Sequence, residues 1–431
     1  MQVSKLLDET EVGIFHYKIL LTSSLIYCFT AMNVMLIAAL VGPIAREWGL
    51  DVVTMGYLMS SGYLGMFIGA LLFGRLADVI GRRRVLITVL VLESVFTAAC
   101  GLAWDLLSLY ALRFLAGIGL GGALPQPGVY VSEYVPKKKR GLFLGLVETS
   151  WVYGVIISLL IPYLLLPSLG WRATFSIALL PLLTLPLAVA YLPESMRFLI
   201  VKGRADEVRK LMAKLGVKDL PEFGGLTEVK RYTVRDLVSR KYVRRTVLLF
   251  ILWGGLIYTY HGIFLWLPTI YSRQFGLGDI TSLRWTLLVT LFQIPGYYSA
   301  SFLLDRVGRK RVLSIYLMAA GIFSALLSLK VDLLWIFAFS SLISFFNLGA
   351  WAGLYAYTPE LYPTEIRGIG SGASASFGRL IGILAPSITG YLFSTTGISG
   401  PFAIFSFVHL LAGLAVILMG IETMGRSLEE I

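Results

Sequence analysis

Apolar runs of about twenty residues recur along this chain. Each is long enough to cross a hydrocarbon core of about 30 Å at about 1.5 Å per helical residue. Twelve are counted: roughly 18–44, 54–76, 85–103, 107–131, 142–166, 172–192, 246–270, 284–304, 312–329, 333–358, 370–393 and 401–421. Such runs must be covered by protein or by lipid. A protein cover would need a large polar shell, and the composition does not supply it. Of 431 residues, 57% are hydrophobic and 14% charged, with a mean hydropathy of +0.79; a soluble domain carries about 25% charge. The expected fold class is an all-α membrane protein with twelve transmembrane helices. Lys5, Asp8, Glu9 and Glu11 precede a first run too long for a signal core, so it reads as the first span.

The net charge of +12 is unevenly placed. Lys137-Lys138-Lys139-Arg140, Arg82-Arg83-Arg84, Arg306 with Arg309-Lys310-Arg311, and fourteen Lys/Arg between Arg197 and Arg245 fall on alternate loops. The opposite loops carry Arg46, Arg172, Arg273, Arg284 and Lys330. That bias orients a membrane protein with its basic loops inward. It predicts a multi-pass protein of the plasma membrane with both termini and the central loop cytoplasmic. The basic partner is then anionic lipid, not nucleic acid. Cys28 and Cys100 lie inside runs and read as small apolar packers. No metal spacing, cofactor motif, phosphate loop or nucleophile–base pair is found, so an enzyme is not expected.

The chain repeats itself. GRLADVIGRRR at 74–84 answers SFLLDRVGRKR at 301–311, and EYVPKKKRG at 133–141 answers ELYPTEIRG at 360–368. Asp78 and Asp305, Arg82 and Arg309, Glu133 and Glu360, Arg140 and Arg367 all differ by 227. Four residue pairs held in one register describe two homologous halves. The expected domains are a six-helix bundle at 1–200, a cytoplasmic linker with short helices at 201–245, and a second six-helix bundle at 246–431. Six spans per half give both halves one orientation, a parallel repeat with a cavity expected between them near the midplane.

The repeated charges fall at the cytoplasmic ends of the second, fourth, eighth and tenth runs. A carboxylate at Asp78 or Asp305 can cap the N-terminus of a neighbouring helix. Arg82, Arg140, Arg309 and Arg367 can pair with Glu133 and Glu360. The eight residues form a candidate cytoplasmic gate, with plain solvated loops as the alternative.

These loops, together with Arg113-Phe-Leu-Ala-Gly-Ile-Gly-Leu-Gly-Gly122, Pro193-Glu-Ser-Met-Arg-Phe-Leu199, Pro359-Glu-Leu-Tyr-Pro-Thr-Glu-Ile-Arg-Gly368 and Glu422-Thr-Met-Gly-Arg-Ser-Leu-Glu-Glu430, resemble the major facilitator superfamily, sugar-porter-like clan. Leu146-Val-Glu-Thr-Ser-Trp151, Tyr260-His-Gly262, Gln293-Ile-Pro-Gly296 and Gly378-Arg-Leu-Ile-Gly-Ile-Leu-Ala-Pro386 look more like the synaptic-vesicle-glycoprotein-like and organic ion transporter branch of metabolite:proton symporters. The glutamine pairs on which sugar porters rely are not found. The resemblance implies two pseudo-symmetric six-helix bundles, alternating access and no cofactor.

Ionisable residues within spans are expensive and point to function. Arg379 stands nine residues into the eleventh run, about 14 Å deep, and needs a carboxylate or an anionic ligand. It is a substrate-binding candidate; a structural ion pair with Glu148 in the fifth run is the alternative. Organic anion transporters look similar at this arginine, which implies an anionic, carboxylate substrate. Glu148 and Arg113 are the proton-coupling candidates. Related symporters carry first-helix aspartates where this chain has Thr30-Ala-Met-Asn33. Glu93 reads as structural. Asn33, Gln126 (between two prolines that bend the helix), Trp151, Tyr260 and His261 are further substrate-binding candidates. Asn347, Trp351 and Tyr355 join them because i, i+4 and i+8 share one helix face.

The expected function is secondary active transport of a small organic metabolite, an organic anion by the resemblance, with a proton as candidate co-substrate, by a monomer. The alternatives are a sugar, polyol or drug carrier of the same fold, or a membrane sensor that transports nothing.

Overall fold

A computed structural model describes residues 10–215, 233–329, 332–363 and 366–425. Lys5, Asp8 and Glu9, residues 216–232 of the polar linker, Lys330, Thr364 and Glu365, and residues 426–430 of the terminal motif lie outside the described residues.

Helices account for nearly all of the described chain, and no strand occurs among the described residues. The first half runs α1 (Ile14–Trp48), α2 (Val52–Ile80), α3 (Arg82–Ala99), α4 (Leu106–Ala123), α5 (Gln126–Tyr134), α6 (Lys137–Thr174), a 3₁₀ segment (Phe175–Thr184) and α7 (Leu185–Tyr191). Short helices α8 (Met196–Val201), α9 (Ala205–Lys214) and α10 (Val234–Leu237) follow. The second half runs α11 (Val243–Phe264), α12 (Leu267–Phe275), α13 (Asp279–Leu291), α14 (Gln293–Val307), α15 (Arg309–Leu327), α16 (Leu333–Glu360), α17 (Arg367–Thr396) and α18 (Ser399–Met419).

Ten segments among the described residues are long and apolar enough to cross a bilayer. One of them, Lys138–Tyr191, turns back at Gly170, whose φ of 70° leaves the helical region, so it holds two crossings. The thirty-residue α17 adds another. At about 1.5 Å per residue it is about 45 Å long; its glycines, serines and Arg379 lower its hydropathy, not its reach. The total is the twelve crossings that the runs predicted. Leucine and phenylalanine side chains such as Leu71, Leu183, Phe302 and Phe407 stand exposed on the helix flanks, a surface suited to lipid.

The caps repeat as the motifs do. Asp105 accepts the backbone N–H of Ser108 at 2.8 Å at the start of α4, and Asp332 accepts that of Trp335 at 3.1 Å at the start of α16. These aspartates, too, stand 227 residues apart. Each satisfies an N–H that the first helical turn would leave orphaned. α4 is broken from α5 between Ala123 and Gln126, where Pro125 removes a donor. Close packing relies on small residues: a Cβ on Gly65 or Gly69 of α2 would strike the backbone of α4 at Phe114 or Ile118.

Packing divides the chain into two compact units. One comprises 1–34, 65–154 and 175–230; the other comprises 35–64, 155–174 and 231–431. In the first, Tyr130 and Tyr134 of α5, Val147 of α6 and Met196 of α8 share a core with Val208 and Met212 of α9, so the amphipathic start of the linker is docked there. In the second, the early part of α2 meets α12 and α17: Ser60 and Ser387 share a hydrogen bond at 2.7 Å, and Trp266 donates its indole N–H to the Pro386 carbonyl at 3.0 Å.

Candidate gating and substrate sites

The charged loops are built twice, in the same way. In the first unit Gly81 adopts φ 102°, ψ 149° ahead of α3. The Glu194 carboxylate fills the space a side chain would need. Its Oε1 accepts the backbone N–H of Arg82 at 2.7 Å and of Arg83 at 3.3 Å. Arg82 then pairs through Nε with Glu133 at 2.9 Å, and Tyr134 donates to the Glu194 carbonyl at 2.6 Å. In the second unit Gly308 adopts φ 107°, ψ 152° ahead of α15, and the Glu422 carboxylate fills the same space. Glu422 Oε1 accepts the Arg309 N–H at 2.8 Å. Arg309 pairs with Glu360 at 3.2 Å and with Asp305 at 2.9 Å. A carboxylate on a helix N-terminus meets free N–H groups and the positive end of the dipole at once.

The arrangement refines the expected gate. Glu133 and Glu360 do pair with arginines, through Arg82 and Arg309. Arg140 donates through Nε to the Val135 carbonyl at 3.2 Å, and Arg367 to that of Tyr362 at 3.3 Å. Each arginine therefore holds the chain leaving the preceding helix, five residues back. Capping falls to Glu194 and Glu422, not to the aspartates. Asp78 is exposed, and Asp305, 79% exposed, pairs with Arg309. Glu194 and Glu422 fall outside the repeat of 227 because they differ by 228, one residue out of register with the other pairs. The available signal was an acid just past the last span of each half.

The candidates inside the first unit lie along α1. Tyr27 donates to Glu148 Oε2 at 2.7 Å, and its ring packs at 5.7 Å from that of Trp151, one turn along α6. These three side chains form one polar-aromatic cluster. Thr30 donates to Glu93 Oε1 at 3.1 Å. Asn33, fully buried, donates to the Ala178 carbonyl at 3.3 Å, tying α1 to the 3₁₀ segment. Arg113 and Gln126 are buried; the amide oxygen of Gln126, just past the break in α4, has no hydrogen-bond partner.

In the second unit the aromatic wall takes shape on α11 and α16. Trp351 and Tyr355 lie 5.5 Å apart, and Trp253 stands edge-on to both at 5.7 and 5.5 Å. The Tyr260 ring meets Trp351 edge-on at 6.4 Å, while its hydroxyl donates to Gln293 Oε1 at 3.2 Å. Trp253 and Gln293 were missed; a lone tryptophan in an apolar run gives no signal of which face it occupies. His261 packs edge-on against Tyr63 at 4.9 Å. Asn347 is drawn elsewhere: its amide nitrogen bonds Thr259 at 3.1 Å and His409 Nε2 at 2.8 Å. His409 Nδ1 lies 2.9 Å from the Phe405 carbonyl, so Nδ1 donates and Nε2 accepts. Arg379 is half-buried on α17, twelve residues past the helix start, about 18 Å along the axis.

A cavity of about 160 Å³ opens in this unit beside Arg46, Thr269, Arg273, Asp279 and Ser282. None of the residues expected from sequence lines it. Among the described residues, no group of three His, Cys, Asp or Glu side chains is placed to hold a metal.

Comparison with known proteins agrees with this architecture. The family described as "Sugar (and other) transporter" matches residues 16–431. The niacin transporter NiaP of Acinetobacter baylyi is 36% identical over 438 residues, covering 100% of both chains. The putative niacin/nicotinamide transporter NiaP of Bacillus subtilis is 37% identical, over 96% of this chain and 98% of the relative. The xylose transporter XylE from E. coli, solved in an inward-open conformation, superposes with a TM-score of 0.78 over 96% of this chain and 98% of its own, at 18% identity.

Proposed function

The chain belongs to the sugar (and other) transporter family of the major facilitator superfamily, and from that premise we propose that it carries a small aromatic monocarboxylate across the membrane. The single observation that carries this reading is identity of 36% over the full length to a niacin transporter, beside 37% over 96% of the chain to a putative niacin/nicotinamide transporter; niacin is a pyridine carboxylic acid. The residues support it. Trp253, Trp351, Tyr355 and Tyr260 suit a flat ring, and Arg379 suits its carboxylate. Xylose transport by XylE says nothing about the substrate here, because 18% identity carries the fold alone.

Transport proceeds by alternating access of the halves 1–200 and 246–431, with Arg379 and the aromatic wall as the substrate-binding candidates of the second unit and Trp151 as that of the first. A monomer suffices. The inward bias of the basic loops supports an orientation with both termini in the cytoplasm of a plasma-membrane protein. The two carboxylate–arginine networks, centred on Arg82 and Arg309, form the gate on that face. A proton moving with the carboxylate makes the step electroneutral; Glu148, held by Tyr27, is one acid able to bind and release it, with Arg113 a fixed cation of the same unit.

The test is uptake of radiolabelled nicotinate into proteoliposomes, with xylose and an organic cation as controls. Nicotinate enters and the controls do not. Arg379→Ala lowers apparent nicotinate affinity about 10- to 100-fold, the loss of one charge-assisted hydrogen bond of about 1.5–3 kcal/mol. Undiminished nicotinate uptake by that variant would sink the anion reading.

A further inference from the structure

Glu93 is the one acidic side chain fully buried among the described residues. It lies near the middle of its span: eleven residues past Arg82, about 17 Å into a 21-residue segment of about 31 Å. Its Oε1 accepts from Thr30, and its Oε2 is buried with no hydrogen-bond partner. The hydroxyls of Ser94 and of Thr97, one turn along the same face, are likewise buried without partners. A polar strip thus runs through the membrane interior with fewer internal hydrogen bonds than its atoms can make.

The surroundings bring little charge. On α1, Lys18 and Arg46 stand 12 and 16 residues from Thr30, about 18 and 24 Å along the helix; Tyr27 and Cys28 are the titratable neighbours. On α4, Gly119 packs against the Glu93 backbone. Arg113, with Tyr110 beyond it, lies six residues earlier, about 9 Å along the axis. The 3₁₀ segment Phe175–Thr184 has no ionisable side chain, α7 has only Tyr191, and Cys100 closes the far end of α3. One alcohol donor does not offset the several kcal/mol of desolvation that an ionised carboxylate incurs in such a place.

We infer that Glu93 is a proton-carrying site of the transport cycle: a carboxylic acid in the state seen here, with the proton on Oε2, and a carboxylate when the cycle opens the strip to water. A proton taken from water on one face is bound at Glu93 and released to the other. Thr30 stays as a donor to Oε1 throughout, and Ser94 and Thr97 take up water in the open state. This deepens the proposed proton-coupled carboxylate transport and rests on it, but assigns the proton to an acid other than Glu148.

The experiment uses full-length protein in proteoliposomes, with radiolabelled nicotinate, comparing Glu93→Gln and Glu148→Gln. Counterflow, which needs no net proton movement, reports transport. Accumulation under a one-unit pH gradient, about tenfold for one proton per anion, reports coupling. Glu93→Gln keeps counterflow and loses the tenfold accumulation; Glu148→Gln is measured beside it as the rival assignment. Full accumulation in Glu93→Gln, or its loss in Glu148→Gln alone, overturns the assignment. A separate measurement does not depend on transport: the infrared carbonyl stretch of a buried protonated carboxyl is present in wild-type protein at neutral pH and absent from Glu93→Gln. A band that survives in Glu93→Gln overturns the assignment even if that variant moves no substrate. Failure of wild-type counterflow would instead reject nicotinate as substrate and leave the infrared result standing.

Discussion

The carboxylate of Glu194 occupies the space where a side chain on Gly81 would have to stand, and it accepts the next backbone N–H, that of Arg82, at 2.7 Å. The same relationship joins Glu422 to Gly308, with the Arg309 N–H accepted at 2.8 Å. Both glycines sit at φ above 100° with extended ψ, a region essentially closed to other residues. Gly81→Ala and Gly308→Ala should therefore each destabilise by about 1–3 kcal/mol, seen as a lowered thermal midpoint by tryptophan fluorescence in detergent. A midpoint unchanged in either variant would contradict the geometry.

Removing the acids separates the cap from the strain. Glu194→Ala and Glu422→Ala each leave N–H groups of α3 or α15 without their side-chain acceptor, at about 0.5–2 kcal/mol. Glu194→Gln and Glu422→Gln keep an acceptor oxygen and lose only the charge, so they should cost less. Amide hydrogen exchange reads this directly: Arg82 and Arg309 exchange faster in the alanine variants and near the wild-type rate in the glutamine variants. Equal exchange in all four would remove the capping role.

The sequence told much of this story and missed a definite part. Spans were legible because lipid demands about twenty apolar residues, and the halves because Asp78, Arg82, Glu133 and Arg140 recur at one offset. Glu194 and Glu422 lie within recognisable motifs, yet the sequence does not disclose their role: one extra residue separates them from the register, and a cap depends on where a chain end returns, not on spacing. Asn347 shared a face with Trp351 and Tyr355 by period alone. Its amide is claimed by His409 on α18, a partner 62 residues away that no local pattern names.

That claim makes Asn347 a structural prediction. Two helices besides its own hold its amide nitrogen, through Thr259 and His409. Asn347→Ala strands a buried histidine acceptor and should cost about 1–3 kcal/mol, with apparent nicotinate affinity little changed. His409→Phe should cost a similar amount, and the double variant less than the sum. A large affinity loss in Asn347→Ala without a stability loss would return this residue to the substrate site.

Trp351 should behave in the opposite way. Its ring contacts Trp253, Tyr355 and Tyr260, so an aromatic replacement preserves much of the wall. Trp351→Phe should weaken apparent nicotinate affinity about 3- to 10-fold, the scale of one aromatic contact of about 0.5–1.5 kcal/mol. Trp351→Ala should weaken it further. Equilibrium binding in detergent checks both, with thermal midpoints measured in parallel to separate folding from recognition.

Arg46, near the end of α1, pairs with Asp279 in the first turn of α13, within one compact unit. The Arg46 side chain is 59% exposed and that of Asp279 10%, so their direct coupling is discounted to about 0–1 kcal/mol. The two partners should not be equivalent. Asp279 also faces the positive end of the α13 dipole, which favours a carboxylate whether or not Arg46 is present. Asp279→Asn should therefore destabilise more than Arg46→Gln. The exchanged pair, Arg46→Asp with Asp279→Arg, should recover less than the wild-type stability, because an arginine at that helix start opposes the dipole. Raising the salt from 0.1 M to about 1 M shortens the screening length from about 10 to about 3 Å and should shrink the double-mutant coupling. Thermal unfolding of the two single variants, their combination (Arg46→Gln with Asp279→Asn) and the exchanged pair, each against wild type at both salt levels, tests the order. Equal losses for the two single substitutions, or full recovery on exchange, would assign the stability to the ion pair alone and none to the helix terminus.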